Sequence, residues 1–546
     1  MDTHRRVIAI TLLAAIGTAC AGPASDAPEL VLTGGAIYPL GADDRPVAAL
    51  AIRGDSILAL GSDAEVLQLA DRYTQQMPLE DSAVLPGSYD AWNDLEALGR
   101  WPDGDLDMRL ASTVEEAQAM VRNAAGAAGS GGWLLGWGWD ENDWPEAALP
   151  NRSDLDAFGV ERPIALLHRN GVAAWLNSAA LAALPAGALD GYRGVVHDDA
   201  GEPTGILFGD ALAVLDDVLA GTAEQEREWI AEGARRAAAA GVTRVATAPV
   251  EDAVVTRLLD LERRGLLPLR VDVRLTPAAA TSYRGSDLQE RVEDSTLVRV
   301  TAVGARVDGP LASHLALLSE PYATAGPALP AVDGAMLEAA AAAARDVELP
   351  LQVQASGDAA VSAALAAIAA SGQPGGAIIG FDLLPADLPA DLTGLRVAIT
   401  PARFARDVYW LDRVLGPQRA LRADAWADLA AAGVSFDIAS DAPAYRLRPI
   451  TDIATASTRS NSEGYPAGGW NTQQALGRDI LLRALVGDGA DLDVGAPADL
   501  VVWSEDPVAG DDGALRRAEA LLTIVAGRVA YSRALVHPPM ETDQKR

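Results

Sequence analysis

Short apolar runs alternate with Ala-rich stretches of helical pattern along most of the chain. Segment 224–240, EQEREWIAEGARRAAAA, for example, is followed directly by GVTRVATAPV. Apolar runs that could form central parallel strands lie at 82–90, 241–248, 267–275, 295–303, 349–355, 377–383, 395–401 and 434–441. Eight strands separated by helices predict an α/β fold of the closed (β/α)8 TIM-barrel type, with functional groups at the C-terminal ends of the strands.

The two ends of the chain have a different pattern, in which short alternating runs are broken by Gly and Asp. We expect residues 29–81 and 490–535 to form one composite β-sandwich domain beside a barrel spanning 82–489. Residues 95–240 separate the first two barrel strands and are too long for a loop, so they predict an inserted subdomain. Residues 536–546 are left as a C-terminal tail.

The first 20 residues are typical of a secretory signal, because Arg5 and Arg6 precede an apolar run shorter than the roughly 20 residues of a membrane span. The run ends at Cys20, the only cysteine, and the sequence around it resembles a bacterial lipobox, although Gly17 stands where Leu is usual. Residues 21–28 are then a tether. We expect an exported lipoprotein anchored at the bacterial envelope and facing the periplasm; the alternative is a soluble periplasmic protein.

Charge narrows the range of partners. The 546 residues include 76 Asp plus Glu and 43 Lys plus Arg, for a formal net charge of −33. Such a surface repels phosphate backbones and anionic headgroups, so we expect no nucleic-acid partner and membrane contact only through the lipid anchor. The only lysine is Lys545, so a Schiff-base or carbamylated lysine is excluded from the folded body.

Several segments, in this order and at these intervals, resemble the amidohydrolase superfamily of the amidohydrolase-3 type. They are LPGSYDAWNDLEALG, GWLLGWGWDENDWP, RNGVAAWLNSAAL, GEPTGILF, DGPLASHLALLSEPYA, ASGDAAV, GVSFDIASDAP and GAPADLVVWSEDP. The resemblance runs from about residue 30 to 531. It implies a metal-dependent hydrolase of non-peptide C–N bonds, in which one or two divalent ions at the barrel mouth activate water.

The ligand positions that the resemblance implies are almost all altered. The HxH pair after strand one falls on Trp92 and Asp94, the strand-four position near Gly304, the strand-five His on Gln354, the strand-six His on Phe381, and a substrate-side His on Val172. Asp441 after strand eight is the one family residue retained. The chain has five histidines, and none lies at the end of strand one, five or six. We therefore expect no metal and no other cofactor.

Two interpretations of this altered site remain open. In the first, the protein is a catalytically impaired or inactive member that binds a small molecule at the barrel mouth, where the Trp92 indole fills the metal cavity or forms an apolar floor beside Gln354 and Phe381. In the second, Asp90, Asp94 and Asp441 form a replacement carboxylate site of an active hydrolase.

The predicted lipidation of Cys20 can be tested directly. Replacing Cys20 by Ala should move the protein from the membrane fraction to the soluble periplasmic fraction, because an acyl chain supplies about 0.8 kcal/mol per buried CH₂ group. Cell fractionation followed by immunoblotting measures the shift. Unchanged membrane association of the variant would contradict the lipoprotein assignment.

Overall fold

The computed structural model describes residues 26–41, 45–101, 106–127, 132–145, 148–157, 159–324 and 332–533. The predicted signal, Cys20 and the tail 536–546 lie outside these described residues. In the part of the chain that is described, no helix is both long enough and apolar enough to cross a bilayer.

The described strands are numbered in chain order. They are β1 (Leu30–Thr33), β2 (Ala36–Ile37), β3 (Ala49–Arg53), β4 (Ser56–Gly61), β5 (Gln75–Pro78), β6 (Ala83–Pro86), β7 (Ser88–Asn93), β8 (Leu134–Trp139), β9 (Ile164–His168), β10 (Ala173–Leu176), β11 (Val195–His197), β12 (Pro203–Phe208), β13 (Val242–Val250), β14 (Arg270–Leu275), β15 (Val298–Arg306), β16 (Leu351–Ala355), β17 (Ala377–Gly380), β18 (Arg396–Ile399), β19 (Ser435–Ile438), β20 (Leu500–Trp503), β21 (Ala520–Val525) and β22 (Arg528–Ser532).

The α-helices of the same residues are numbered in the same way. They are α1 (Asp63–Leu67), α2 (Leu95–Arg100), α3 (Val114–Ala127), α4 (Arg152–Asp156), α5 (Ser178–Ala183), α6 (Asp216–Leu219), α7 (Ala223–Ala239), α8 (Asp252–Arg263), α9 (Pro277–Tyr283), α10 (Asp287–Glu293), α11 (Gly334–Val347), α12 (Asp358–Ser371), α13 (Pro401–Asp407), α14 (Leu411–Leu415), α15 (Pro417–Ala420), α16 (Trp426–Ala431), α17 (Pro449–Thr458), α18 (Arg478–Val486) and α19 (Asp512–Arg517).

The central sheet is an eight-stranded parallel barrel in the order β7, β13, β14, β15, β16, β17, β18, β19. Strand eight returns to strand one through a parallel bridge between Asn93 and Ala442. The predicted (β/α)8 fold class is confirmed, and each predicted apolar run supplies one barrel strand. The main hydrophobic core lies between these strands and the helices around them.

The first predicted run forms two strands instead of one. β6 pairs antiparallel with β20 in a sheet outside the barrel, and β7 alone is barrel strand one. The change occurs at Gly87, whose N–H donates to the Asp499 carbonyl oxygen and where a Cβ atom would lie 2.0 Å from Thr243 Oγ1. Only glycine allows so close an approach, so the chain turns from one sheet into the other at this residue.

Two smaller sheets made from both ends of the chain pack beside the barrel. One has the order β4, β3, β1, β5, and the other has the order β2, β6, β20, β21, β22. Their facing side chains share one hydrophobic cluster that includes Leu32, Leu50, Leu500 and Ile524.

Between barrel strands one and two, a further five-stranded sheet forms in the order β11, β12, β10, β9, β8. Trp139, Trp144 and Trp175 pack against one another in its core, with ring centroids 6.0–6.2 Å apart. Two glycines join this region to the barrel by letting helices α2 and α7 cross with their backbones in contact. A Cβ on Gly99 would lie 1.8 Å from the Trp229 carbonyl oxygen, and one on Gly233 would lie 1.9 Å from that of Leu95.

Replacing Gly99 by Ala should lower the free energy of unfolding by about 1–3 kcal/mol, because backbone atoms cannot rotate away from the added methyl group as a side chain can. Urea unfolding followed by circular dichroism measures this change.

Gly334→Ala is the control, because this residue also lies in a helix, as the first residue of α11, yet has no atom within 4 Å of an added Cβ. It should be neutral or stabilising by about 0.4–1 kcal/mol. Equal unfolding midpoints for the two variants would show that the helix crossing tolerates a side chain.

Candidate functional site

The C-terminal ends of the barrel strands surround a cavity of about 130 Å³, which we call the mouth cavity. The barrel contributes Trp92, Asp94, Ala248, Arg306, Pro310, Gln354, Ser356, Ile379, Gly380, Asp382, Thr400, Arg403, Asp441, Ala442, Pro443 and Ala444. The segment between strands one and two contributes Ala97, Trp101, Trp137, Leu167, Arg169, Asn170, Gly171 and Val172. Five of the residues singled out from the sequence therefore share this cavity: Trp92, Asp94, Val172, Gln354 and Asp441.

The indole of Trp92 fills the barrel interior below the mouth. Its side chain packs with Ile379, Ala398 and Ala439 and is only 4% exposed. The guanidinium carbons of Arg274 and Arg306 lie 5.4 and 5.6 Å from its ring centroid. Both distances are in the range of cation–π attraction, so the aromatic ring and two positive charges form one packed unit.

Arg274 is fixed beneath this ring by backbone carbonyls. Its guanidinium donates to the carbonyl oxygens of Thr247 (2.7 Å) and Ala91 (2.8 Å) and to Gln352 Oε1. Burial lowers the pKa of Arg274, and the nearby charge of Asp272 acts in the opposite direction. The three acceptors account for how a guanidinium is tolerated inside the barrel.

Arg306, at the end of strand four, faces the mouth cavity near two carboxylates. Burial raises the pKa of Asp94, and it raises the pKa of Asp441 to about 6; the charge of Arg306 partly offsets both shifts. Asp94 also caps helix α2, because its Oδ1 accepts the Ala97 N–H at 2.9 Å. One arginine thus provides a positive charge that acts on both acids.

Asp90 does not line the mouth cavity. Its carboxylate is buried and accepts hydrogen bonds from Trp92 N (3.3 Å), Asn93 Nδ2 (2.8 Å), Ser440 N (2.8 Å) and Ser440 Oγ (2.5 Å). Burial raises the pKa of Asp90, while these donors favour the ionised form. Asp90 therefore joins strand one to strand eight, and its oxygens are not available to a ligand in the cavity.

Phe381 also lies outside the cavity, contrary to its predicted position beside Trp92 and Gln354. It is fully buried in the main hydrophobic core, and its N–H donates to the Ala355 carbonyl oxygen at 2.8 Å. The backbone is left-handed at both Gly380 (φ 100°) and Phe381 (φ 58°), which breaks the alternation of side chains along a strand. Asp382, the next residue, lines the cavity in its place.

Asp382 belongs to a buried ionic cluster around Arg403. Arg403 pairs with Asp382, with Asp424 at 2.8 Å and with Asp407 at 3.5 Å. Burial raises the pKa of Asp382 to about 6, and although burial acts to lower the pKa of Arg403, the three carboxylates raise it. This cluster braces the ends of strands six and seven.

The residues at the mouth do not fit the divalent metal centre that the fold implies. The indole N–H of Trp92 is only a donor, and Arg306 places a cation beside Asp94 and Asp441. Zinc sites need at least three nitrogen, sulfur or oxygen ligands in a compact arrangement. The carboxylates at the mouth therefore have a guanidinium as their neighbour, which repels a metal cation.

Among the described residues, one group of three has the spacing of metal ligands: Asp140, Glu141 and His168, in the segment between strands one and two. His168 Nε2 lies 3.2 Å from Glu141 Oε2 and 3.6 Å from Asp140 Oδ1. Burial acts to lower the pKa of His168, but the two carboxylates raise it to about 10. Metal binding requires neutral imidazole, and Asp140 already accepts a hydrogen bond from Arg406 at 2.9 Å, so this group is an ion-pair cluster.

The eight parallel strands and the cavity at their C-terminal ends define a (β/α)8 barrel protein, and the family is established by sequence similarity. The amidohydrolase family pattern matches residues 79–531, and the chain belongs to this family. The protein YtcJ of Bacillus subtilis (strain 168) is 25% identical over 545 residues, covering 92% of this chain and 99% of that protein. The N-substituted formamide deformylase of Arthrobacter pascens is 25% identical over 205 residues, covering 37% of this chain and 38% of that protein.

A solved structure of similar fold is an uncharacterized metal-dependent hydrolase from Pyrococcus horikoshii OT3. It has a TM-score of 0.68 and 22% identity and covers 89% of this chain and 99% of that one.

Sequence reasoning missed Arg274 and Arg306, the two arginines around Trp92. Both lie at or near the C-terminal ends of barrel strands, in RVDVRL and VTAVGAR. A charged residue at the C-terminal end of a buried parallel strand is a signal that it faces the barrel mouth, and this signal was present for Arg306. The sequence held no such signal for Arg274, which lies inside the barrel and not at its mouth.

The raised pKa of Asp441 predicts a specific pH dependence of stability. Its folded-state pKa of about 6 exceeds the unfolded value of about 3.9, so its favourable contribution is complete below pH about 3.9 and is lost as pH rises through 6. Asp441→Asn should therefore raise the free energy of unfolding at pH 7.5 by about 1–3 kcal/mol. Urea unfolding at pH 4 should show little of this difference, and an equal gain at both pH values would contradict the shift.

Proposed function

We propose that this protein is an exported, lipid-anchored member of the amidohydrolase family that lacks metal-dependent hydrolysis and binds a small molecule in the mouth cavity. The packing of Trp92 against Arg274 and Arg306 carries the proposal. An indole occupies the first position of the HxH pair that the resemblance implies, and the positive charge beside it is supplied by arginine.

The mouth cavity has the chemistry of a binding site. Gln354 Oε1 has no hydrogen-bond partner among the described residues, and Arg306 offers guanidinium N–H groups to the same space. Trp92, Trp101 and Trp137 provide apolar surface around them. At about 130 Å³, the cavity is smaller than the roughly 300–1,000 Å³ of drug-sized pockets, so the ligand is small, with one hydrogen-bond donor and one acceptor.

The replacement carboxylate site has weaker support. The Asp90 carboxylate is hydrogen-bonded between strands one and eight, and the Asp94 carboxylate caps α2. Asp441 would therefore have to act almost alone. General base catalysis by a single side chain is typically worth about 10²–10⁴-fold, whereas a metal ion lowers the pKa of water from 15.7 to about 7.

We therefore expect no detectable hydrolysis of N-acyl amino acids, N-substituted formamides or cyclic amides by the purified protein, with or without added Zn²⁺, Mn²⁺ or Fe²⁺. Product release monitored by chromatography measures activity, and elemental analysis should find metal well below one equivalent per chain.

Asp441→Asn is the informative variant in the same assay. It should leave the baseline unchanged, because a general base without an activated water has no reaction to support. Metal-dependent turnover that is lost in this variant would establish a working hydrolase and overturn the proposal.

A further inference from the structure

A second and larger cavity, of about 410 Å³, lies at the rim of the barrel next to the mouth cavity, and we call it the rim cleft. The two cavities share Arg169 and Ala444 in their linings. The rim cleft is bounded by the segment between strands one and two, by α13, and by the chain that leads from strand eight into α17.

The lining of the rim cleft has more positive than negative side chains, whereas the protein as a whole is strongly negative. It contains five arginines and two aspartates, in a chain of net charge −33. Three of the arginines are paired: Arg109 with Asp107 at 2.6 Å, Arg169 with Asp143 at 2.7 Å, and Arg406 with Asp143 at 2.6 Å.

The other two arginines, Arg446 and Arg448, are exposed, and their guanidinium groups have no partner among the described residues. The rim cleft thus holds two uncompensated positive charges separated by only one residue in the sequence.

Helix α17 begins at this cleft without a side-chain cap. Arg448 is its N-cap residue and makes no capping hydrogen bond, and Pro449 occupies the first helical position. The first-turn N–H groups of Ile450 and Thr451 have no intrahelical acceptor, and the helix dipole is positive at this end.

Thr451 is a second, independent indication of a ligand. It lines the cleft, its side chain is more than nine-tenths buried, and its Oγ1 has no hydrogen-bond partner among the described residues. A buried hydroxyl without a partner is uncommon because it loses the free energy of a hydrogen bond.

The unpaired acid in the lining does not oppose an anion. Asp452 is buried, and burial together with the charge of Asp90 raises its pKa well above the usual range. The neutral carboxyl is thereby favoured. Asp107, the other acid, is neutralised by Arg109.

We propose that the rim cleft binds the carboxylate or phosphate group of a small molecule, through Arg446, Arg448, the Thr451 hydroxyl and the first turn of α17. Arginine pairs recognise both groups through paired N–H donors, and helix N-termini after the last strands of (β/α)8 barrels suit phosphate. The remaining surface is strongly acidic and repels polyanions, so the ligand is a small anion. The rim cleft is a different binding site from the mouth cavity, and anion binding in it does not depend on the proposed function of the mouth cavity.

Isothermal titration calorimetry of the mature protein at low salt tests the proposal, with inorganic phosphate and succinate as probes and succinamide as the neutral comparison. We expect one of the two anions to bind with a Kd below about 1 mM and succinamide not to bind. Arg446→Gln and Arg448→Gln should each weaken binding about 10–100-fold, and Thr451→Val about 2–10-fold.

A control variant shows whether anion binding is specific to the rim cleft. Arg528→Gln removes another exposed arginine, on β22, which has no side-chain partner among the described residues, and it should leave the affinity unchanged. Hydrolysis and metal content test the proposed function, whereas anion calorimetry tests this inference, so failure of one and failure of the other are distinguishable. Absence of binding by both anions, or equal losses in the Arg446 and Arg528 variants, would overturn the proposal.

Discussion

The carboxylate of Asp90 is the interaction on which the geometry of the barrel mouth depends. It accepts four hydrogen bonds, two of them from Ser440, and so fixes strand eight against strand one where the barrel closes. A buried carboxylate is unfavourable unless its oxygens are fully satisfied, and in this barrel the residues that satisfy it come from both strands. Trp92 and Asp441 adjoin this joint, and the Asp441 N–H donates to the Trp92 carbonyl oxygen at 3.1 Å.

The arginines of the barrel differ in the groups that hold them. Arg403 balances three buried aspartates, and Arg274 is held by carbonyl oxygens inside the barrel. The charge of Arg306 acts on Asp94 and Asp441, two acids of the mouth cavity. Guanidinium suits these positions better than ammonium would, because it is less strongly hydrated and offers several donors in one plane.

Much of the fold could be predicted from the sequence, because buried parallel strands are continuous apolar runs and eight such runs alternate with helices. The sequence also allowed Trp92, Asp94, Gln354 and Asp441 to be placed at one end of the barrel, because the C-terminal ends of its strands share one face. Phe381 was misplaced because two left-handed residues reverse its direction, and residue pattern alone does not reveal a positive φ at a phenylalanine. The turn at Gly87 and the hydrogen bonds of Asp90 depend on residues that are far away in the sequence. A local sequence pattern cannot reveal such contacts.

The packing of Trp92 makes this position difficult to change in evolution. A smaller histidine at position 92 would leave a void among Ile379, Ala398 and Ala439 and would remove the aromatic surface over Arg274. Truncating a buried aromatic residue typically lowers stability by about 3–5 kcal/mol, a large part of the roughly 5–15 kcal/mol that folded proteins possess. A lineage that exchanged this residue alone would therefore pass through an unstable intermediate unless neighbouring side chains first filled the space. Selection for a stable barrel is thus sufficient to retain the indole, independently of any role of the mouth cavity.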